Sequence, residues 1–320
     1  MARTSGSTKA GGVAAMLVTV AVWAAFAVSV RGIGASTLTS ADVSLLRFAV
    51  PALVLAPRIP RTLRALRGQN PWTLAAVAGG AGAPFLLTAS LGGAMTSASL
   101  VGLVIPGTVP LFVTIICALV WRERITRRQA VAVTAIVAGV AVAVVGSTSE
   151  VSAGIGVLLV AGLLWSVYTL GLRRTSLGPD GAALVLCIPS ALAVAVGILL
   201  GWLPSRLAAG TAAPGDILSF GLVQGLGVGV IAGLCYAYAV RRLGPQPAAA
   251  LGALSPVVTM LLAVPVFGEV PHVAGLTAMT IIVTGVLAFT LAPPRQAAAR
   301  PGRPRPVALS DSTPTLESAS

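Results

Sequence analysis

Pro110 to Val140 reads PLFVTIICALVWRERITRRQAVAVTAIVAGV, and Pro256 to Val286, 146 residues later, reads PVVTMLLAVPVFGEVPHVAGLTAMTIIVTGV, aligning without a gap. Nine of the 31 positions are identical: Pro110/Pro256, Val120/Val266, Glu123/Glu269, Ala132/Ala278, Thr134/Thr280, Ile136/Ile282, Val137/Val283, Gly139/Gly285 and Val140/Val286. Composition alone gives about three matches, because Ala, Val, Leu and Gly dominate. The glutamates are the telling pair. Only eight acidic residues exist, and both of these fall 13 positions after a proline and 16 before a glycine. The chain is built twice from one plan.

Working outward, 56% of the residues are hydrophobic and 9% charged, with mean hydropathy +0.96. That leaves too little polar surface for a dissolved globule and places the chain in a bilayer. A helix needs about 20 apolar residues to cross ~30 Å of hydrocarbon. Hydropathy, flanking charges and turn residues predict ten such stretches, near 12–30, 41–57, 72–91, 97–121, 128–146, 153–172, 181–203, 217–240, 246–267 and 272–292. The expected fold is all-α and integral to the membrane, with no soluble domain.

Alternate loops assign Arg3, Lys9, Arg58, Arg61, Arg64, Arg67, Arg122, Arg124, Arg127, Arg128, Arg173, Arg174, Arg241, Arg242, Arg295, Arg300, Arg303 and Arg305 to one side, 18 of the 21 Lys and Arg. Arg31 and Arg206 fall on the other side, and Arg47 inside the second span. The positive-inside rule makes the rich side cytoplasmic, with both termini inside and the chain multi-pass in the plasma (inner) membrane. The net charge of +13 follows from this topology. Short basic loops without interleaved aromatics argue against nucleic acid as a partner, leaving a small-molecule substrate and membrane lipid. The oligomeric state is not readable.

Five spans per half, an odd number, make the second half run through the membrane in the opposite sense. The ten spans are therefore expected as two inverted five-helix repeats, residues 12–146 and 147–292. They are flanked by a cytoplasmic N-terminus at 1–11, read as leading into an uncleaved anchor, and a disordered cytoplasmic tail at 293–320. A weaker echo links Trp23, Phe26 and Arg31 to Trp165, Tyr168 and Arg173 at the same internal spacing. Inverted repeats characterise secondary transporters that open a midplane site to either side in turn.

Several short motifs recur in a fixed order: Ser-Ala-Ser-Leu running into Pro110-Leu-Phe, then Trp-Arg-Glu123-Arg-Ile-Thr, and later Leu-Gly-Pro, Ser-Pro256-Val-Val and Phe-Gly-Glu269. With them, residues 12 to 292 resemble the EamA-type transporters of the drug/metabolite transporter superfamily. The resemblance implies export of small metabolites, often amino acids or derivatives, or of toxic compounds, without ATP. This chain carries Arg122 where the family pattern more often has glycine before the first glutamate, while Gly268 keeps that pattern in the second half.

The alternatives are a channel or a non-transporting membrane receptor. No filter-like ring or loop is legible for a channel. For an enzyme, the chain offers one histidine, His272, and no Walker motif. Cys117, Cys187 and Cys235 lie scattered in apolar spans without metal-ligand spacing. No catalytic residue, metal or cofactor is expected.

Polar or aromatic groups at mid-span depth are the candidates for lining a substrate cavity: Trp23, Arg47, Thr88, Trp165, Tyr168, Gln224 and Ser255. Each also has a structural reading, since Ser and Thr bond the preceding turn and Gln can join two helices. Arg47 either reaches outward to headgroups or faces the cavity and pairs with an anionic group. Pro106, Pro110, Pro256 and Pro265 are candidate helix breaks or hinges. Glu123 and Glu269, at membrane boundaries, are expected as equivalent structural end-posts.

Overall fold

The computed structural model describes residues 3–243, 248, 251–270 and 272–290, and among these every regular element is helical. In chain order the α-helices are α1 (Arg3–Gly32), α2 (Ser40–Val54), α3 (Ile59–Leu66), α4 (Pro71–Gly80), α5 (Ala83–Met95), α6 (Ala98–Trp121) and α7 (Arg127–Val145). They continue as α8 (Ser149–Arg174), α9 (Pro179–Leu199), α10 (Pro214–Phe220), α11 (Ala232–Leu243), α12 (Ser255–Phe267) and α13 (Val273–Thr290), with a π-wound segment, Gly221–Ile231, joining α10 to α11. Their starts follow from side chains that satisfy free amides: reciprocal capping boxes at Thr39/Asp42 and Thr126/Gln129, single caps at Ser97 and Thr148, and prolines in the first turns of α4, α5, α9, α10 and α12.

Among the described residues, seven helical segments are long and apolar enough to cross a bilayer: Ala10–Ala35, Pro71–Met95, Ala98–Trp121, Arg127–Val145, Ser149–Arg174, Pro179–Leu199 and Pro214–Ala239. An eighth exists only if Ser40–Val54 and Ala56–Leu66, bent by 57°, count as one. The expected ninth and tenth stretches carry shorter apolar helices, Ser255–Phe267 and Val273–Ala288. Large apolar side chains left exposed, such as Leu119, Val131, Val145 and Leu199, are what a lipid-facing surface requires. The α1 helix begins at Arg3, so residues expected as an N-terminal lead continue the first span. The expected tail beyond 292 lies outside the described residues.

Several expectations about helix breaks are corrected. The α6 helix runs unbroken through Pro106 and Pro110, since a membrane helix packed among neighbours tolerates prolines. Thr108 Oγ1 donates to the Val104 carbonyl at 2.7 Å and Thr114 Oγ1 to the Pro110 carbonyl at 2.7 Å, bonds to carbonyls other than those of Gly102 and Pro106 that the two prolines free. Pro256 sits in the first turn of α12, just after a turn at Ala253–Leu254, and Pro265 lies inside that helix near its end. The irregular places lie elsewhere. The third stretch is interrupted at Ala81–Gly82, where the Ala83 amide donates to Ser190 Oγ of α9 at 3.2 Å, and the eighth is π-wound over 11 residues.

The two copies of the repeated segment touch each other reciprocally. A Cβ built on Gly139 of α7 would lie 2.5 Å from Ile282 Cγ1 and 3.1 Å from the Ala278 carbonyl. One built on Gly285 of α13 would lie 3.1 Å from Ile136 Cγ1 and 3.1 Å from the Ala132 carbonyl. All six residues belong to identical pairs of the repeat. As the contact moves towards the start of α7 it moves towards the end of α13, so the two helices cross antiparallel. Such an exchange of equivalent contacts is the property of a two-fold relation, and the bare glycines let the backbones approach closely.

At one end of the bundle Arg58 pairs with Asp180 at 3.3 Å, Gln69 bonds Thr175 and Ser176, and the Arg174 guanidinium stacks 3.9 Å above the Trp121 ring. At the other end Asp42 accepts from Thr39, Ser205, Arg206 and Leu207, while Asp216 accepts from the amide and hydroxyl of Thr37. Trp72 and Trp202 stand exposed at these opposite ends, 84% and 75%, as aromatic anchors of a bilayer interface do.

Candidate functional site

The inward stripe of α2 is Ser44, Arg47, Phe48 and Pro51, residues three and four apart and all buried, whereas Leu53 and Val54 are exposed. Helical spacing therefore carries Arg47 into the bundle along with its apolar neighbours. Pro51 has no amide hydrogen, so the Arg47 carbonyl lacks its usual intrahelical partner. The π-wound segment packs over this position: a Cβ on Gly225 would lie 2.7 Å from Val50 Cβ and 3.0 Å from the Leu46 carbonyl. Its Gln224, fully buried, meets the arginine.

Arg47 is 6% exposed. Its Nη1 donates to the carbonyl and to Oε1 of Gln224, both at 3.4 Å, and Gln224 Nε2 donates to Ser29 Oγ of α1 at 2.7 Å. Both arginine bonds are at the long limit of hydrogen bonding. Nε is buried without a partner. The guanidinium stands 5.4 Å from the Phe26 ring centroid and 5.9 Å from that of Phe48. From Phe26 an aromatic path continues to Phe85 at 6.1 Å, Trp165 at 5.0 Å and Tyr168 at 6.4 Å between centroids. The Tyr168 phenol and Cys187 thiol lie within electrostatic reach of Arg47.

The energetics are unbalanced. Burying a guanidinium costs several kcal/mol even after relaxation. A desolvated cation–π contact returns about 2 kcal/mol or somewhat more, and two stretched bonds to a neutral amide return roughly 1 kcal/mol each. Five N–H donors call for more acceptors than Gln224 offers. No carboxylate among the described residues pairs with Arg47. The arrangement can receive an anion on the guanidinium and an apolar or aromatic body against the rings.

Of the residues singled out by sequence, Arg47, Gln224, Trp165 and Tyr168 come together here. Arg47 turns inward to Gln224 and not outward to headgroups. Trp23 belongs to a separate cluster with Met16, Val20 and Ala239, its ring 5.6 Å from that of Tyr236. Thr88 Oγ1 donates to the Pro84 carbonyl of its own helix at 2.7 Å. Ser255 is buried at the start of α12, and its carbonyl accepts from Thr259 Oγ1 at 2.9 Å. Ser29, Phe48 and Phe85 were missed by the sequence reading. Ser29 was the one legible signal among them, a hydroxyl near the end of the first expected span. An apolar recess between α3, α4 and α9, lined by Thr62, Leu63, Leu74, Ala78, Leu184 and Ile188, shares no residue with this cluster.

The glutamates are placed unequally. Glu269 Oε1 accepts from Arg31 Nε at 3.2 Å and Oε2 from the Ala98 amide at 2.9 Å, so one carboxylate joins α1, the start of α6 and the end of α12. Glu123 is exposed and has no ion pair among the described residues. They are equivalent in backbone only: the residue before each is left-handed, Arg122 at φ 53° and Gly268 at φ 67°.

Residues 152–291 match the family model described as the EamA-like transporter family. The match lies in the second half of the chain and covers 140 of its 320 residues. The matched region holds Trp165, Tyr168, Gln224 and Glu269. Fifteen solved chains also match. One is a crystal structure of a protein 23% identical, with a TM-score of 0.56, aligned over 89% of this chain and 98% of that one, a likeness of fold alone. None of the curated proteins matches. The chain is thus helical in every regular element among its described residues, with segments apolar enough to cross a bilayer and a second half similar to the EamA-like transporter family, and the Arg47 cluster is its candidate site.

Proposed function

We propose that the chain is a secondary transporter that exports a small metabolite or toxic compound across the plasma membrane by alternating access. In this reading ten spans form two inverted five-helix repeats, with the arginine-rich end and both termini in the cytoplasm. The observation that carries it is the exchange of contacts between Gly139/Ile282 and Gly285/Ile136 across antiparallel helices. Two equivalent halves related in that way can swap conformations and so present a central site to either side. The transport site of this reading centres on Arg47, Gln224, Trp165 and Tyr168. The ion pair Arg31–Glu269, with its bond to the Ala98 amide, fastens the outer end, and the exposed Glu123 at the inner end takes up the equivalent role, facing Arg173, in the opposite state.

Counterflow in proteoliposomes tests this. Unlabelled substrate on the far side must accelerate entry of labelled substrate at least several-fold, because a carrier returns faster loaded than empty; a channel shows no such acceleration. Sidedness is checked by Gly68→Cys and Ala208→Cys in a background without native cysteines. Only the second should react with an impermeant thiol reagent added outside intact cells, and labelling of the first overturns the orientation.

A further inference from the structure

The charge balance around Arg47 points further than a transport path. Of the eight acidic residues, six are described, and each sits at a helix end or in a loop: Asp42, Glu123, Glu150, Asp180, Asp216 and Glu269. Asp42, on the same helix as Arg47, is the nearest in sequence. Its carboxylate is already engaged by Thr39, Ser205, Arg206 and Leu207 at the end of the bundle. The acceptors beside Arg47 are neutral: the Gln224 carbonyl and Oε1, which already serve the guanidinium, Ser29 Oγ, which already serves Gln224, and the Arg47 carbonyl that Pro51 frees. A ligand ammonium brought to this place meets a buried cation and no carboxylate. A ligand carboxylate meets a planar donor fork with a free Nε and, beyond it, the rings of Phe26, Phe85 and Trp165.

We infer that the Arg47 site selects a net organic anion with an aromatic or apolar body, and discriminates against the zwitterion and the cation of the same shape. The inference rests on the reading that Arg47 lies on the transport path. The anion supplies the acceptors the guanidinium lacks, whereas a zwitterion pays for its carboxylate contact by burying an ammonium without a counter-charge. Amino acids themselves are then poor ligands. Their deaminated, acylated or otherwise ammonium-blocked derivatives are good ones.

The test uses three probes with one phenylethyl body: 3-phenylpropanoate, phenylalanine and phenethylamine. Isothermal titration of the detergent-solubilised full chain should give a Kd for 3-phenylpropanoate at least tenfold below that for phenylalanine, with phenethylamine weakest. Arg47→Gln should bring the first two within about threefold of each other while the protein stays monodisperse. Should that variant fail to fold, 3-phenylpropanamide, which keeps the shape and lacks the charge, must bind the parent at least tenfold more weakly than the acid. Equal or tighter binding of phenylalanine or phenethylamine overturns the inference, as does binding of none of the probes. Arg47-dependent preference for the anion without counterflow of it would leave the site standing and sink the carrier reading. Counterflow of phenylalanine that 3-phenylpropanoate does not inhibit would do the reverse.

Discussion

Gly139 lies against Ile282, and its counterpart Gly285 lies against Ile136, so one contact is made twice by equivalent residues of the two halves. The clearances differ. A methyl group on Gly139 would stand 2.5 Å from Ile282 Cγ1, whereas one on Gly285 meets nothing closer than 3.1 Å. Gly139→Ala is expected to destabilise by about 1–3 kcal/mol, the usual cost of overpacking, and Gly285→Ala by clearly less. Adding Ile282→Ala to Gly139→Ala should remove the overpacking part, read as non-additivity in a thermal-unfolding cycle. Equal effects of the two single changes would count against the asymmetric fit.

Arg122 and Gly268 end α6 and α12 in the same left-handed conformation. Only glycine adopts it without a side-chain clash, and other residues give up roughly 1–2 kcal/mol there. Arg122→Gly is therefore expected to raise stability by about 1 kcal/mol, and Gly268→Ala to lower it by a similar amount. Paired melting curves in one detergent check both signs. No gain from Arg122→Gly would mean that the arginine side chain holds this end by contacts worth as much as the strain.

Glu269 and Glu123 share a backbone setting and differ in surroundings, which separates their variants. Glu269→Gln keeps an acceptor for the Ala98 amide and loses the charge facing Arg31 and the start of α6. The loss is about 1 kcal/mol, because the pair is partly exposed and the helix-end term is small. Glu123→Gln, at an exposed position, should stay within about 0.5 kcal/mol of the parent. The transport reading adds a kinetic difference: joining Arg31→Cys to Glu269→Cys with a short bifunctional reagent should stop counterflow until the link is cleaved. Undiminished flux in the linked protein would remove the outer fastening from the mechanism.

Much of the helical framework was legible because length and apolarity decide what can cross a bilayer. The caps at Thr39, Ser97, Thr126 and Thr148 mark starts by local chemistry. The inward turn of Arg47 is also local, since Ser44, Phe48 and Pro51 share its stripe. What could not be read depends on distant partners. The interruption at Ala81–Gly82 is held by Ser190, 107 residues from the amide it accepts from, and the Arg31–Glu269 pair spans 238 residues. The π-winding at Gly221–Ile231 lets Gly225 approach Val50 on another helix. Periodicity judged along one helix has no term for that packing. Pro106 and Pro110 leave α6 continuous, an outcome that depends on the packing around the helix.

Arg47 makes the last prediction, joining the site to the driving force. Lysine keeps the positive charge and loses the planar fork with its Nε donor, so Arg47→Lys should fold nearly as the parent and bind 3-phenylpropanoate about tenfold more weakly, roughly 1.4 kcal/mol. Glutamine at the same place removes the charge and with it the preference for the anion. An anion leaving a cell whose interior is negative moves down the potential, and each charge gains about 2.3 kcal/mol per 100 mV, enough for an almost 50-fold concentration ratio. No carboxylate among the described residues sits beside Arg47 to carry a proton, so potential alone is expected to drive the cycle. In proteoliposomes with a potassium diffusion potential, inside positive, uptake of labelled 3-phenylpropanoate should rise steeply with the imposed voltage. Uptake should persist when the pH gradient alone is collapsed. Flux that follows the pH gradient and ignores the voltage would show that a proton accompanies the anion, and the potential-driven cycle would fail.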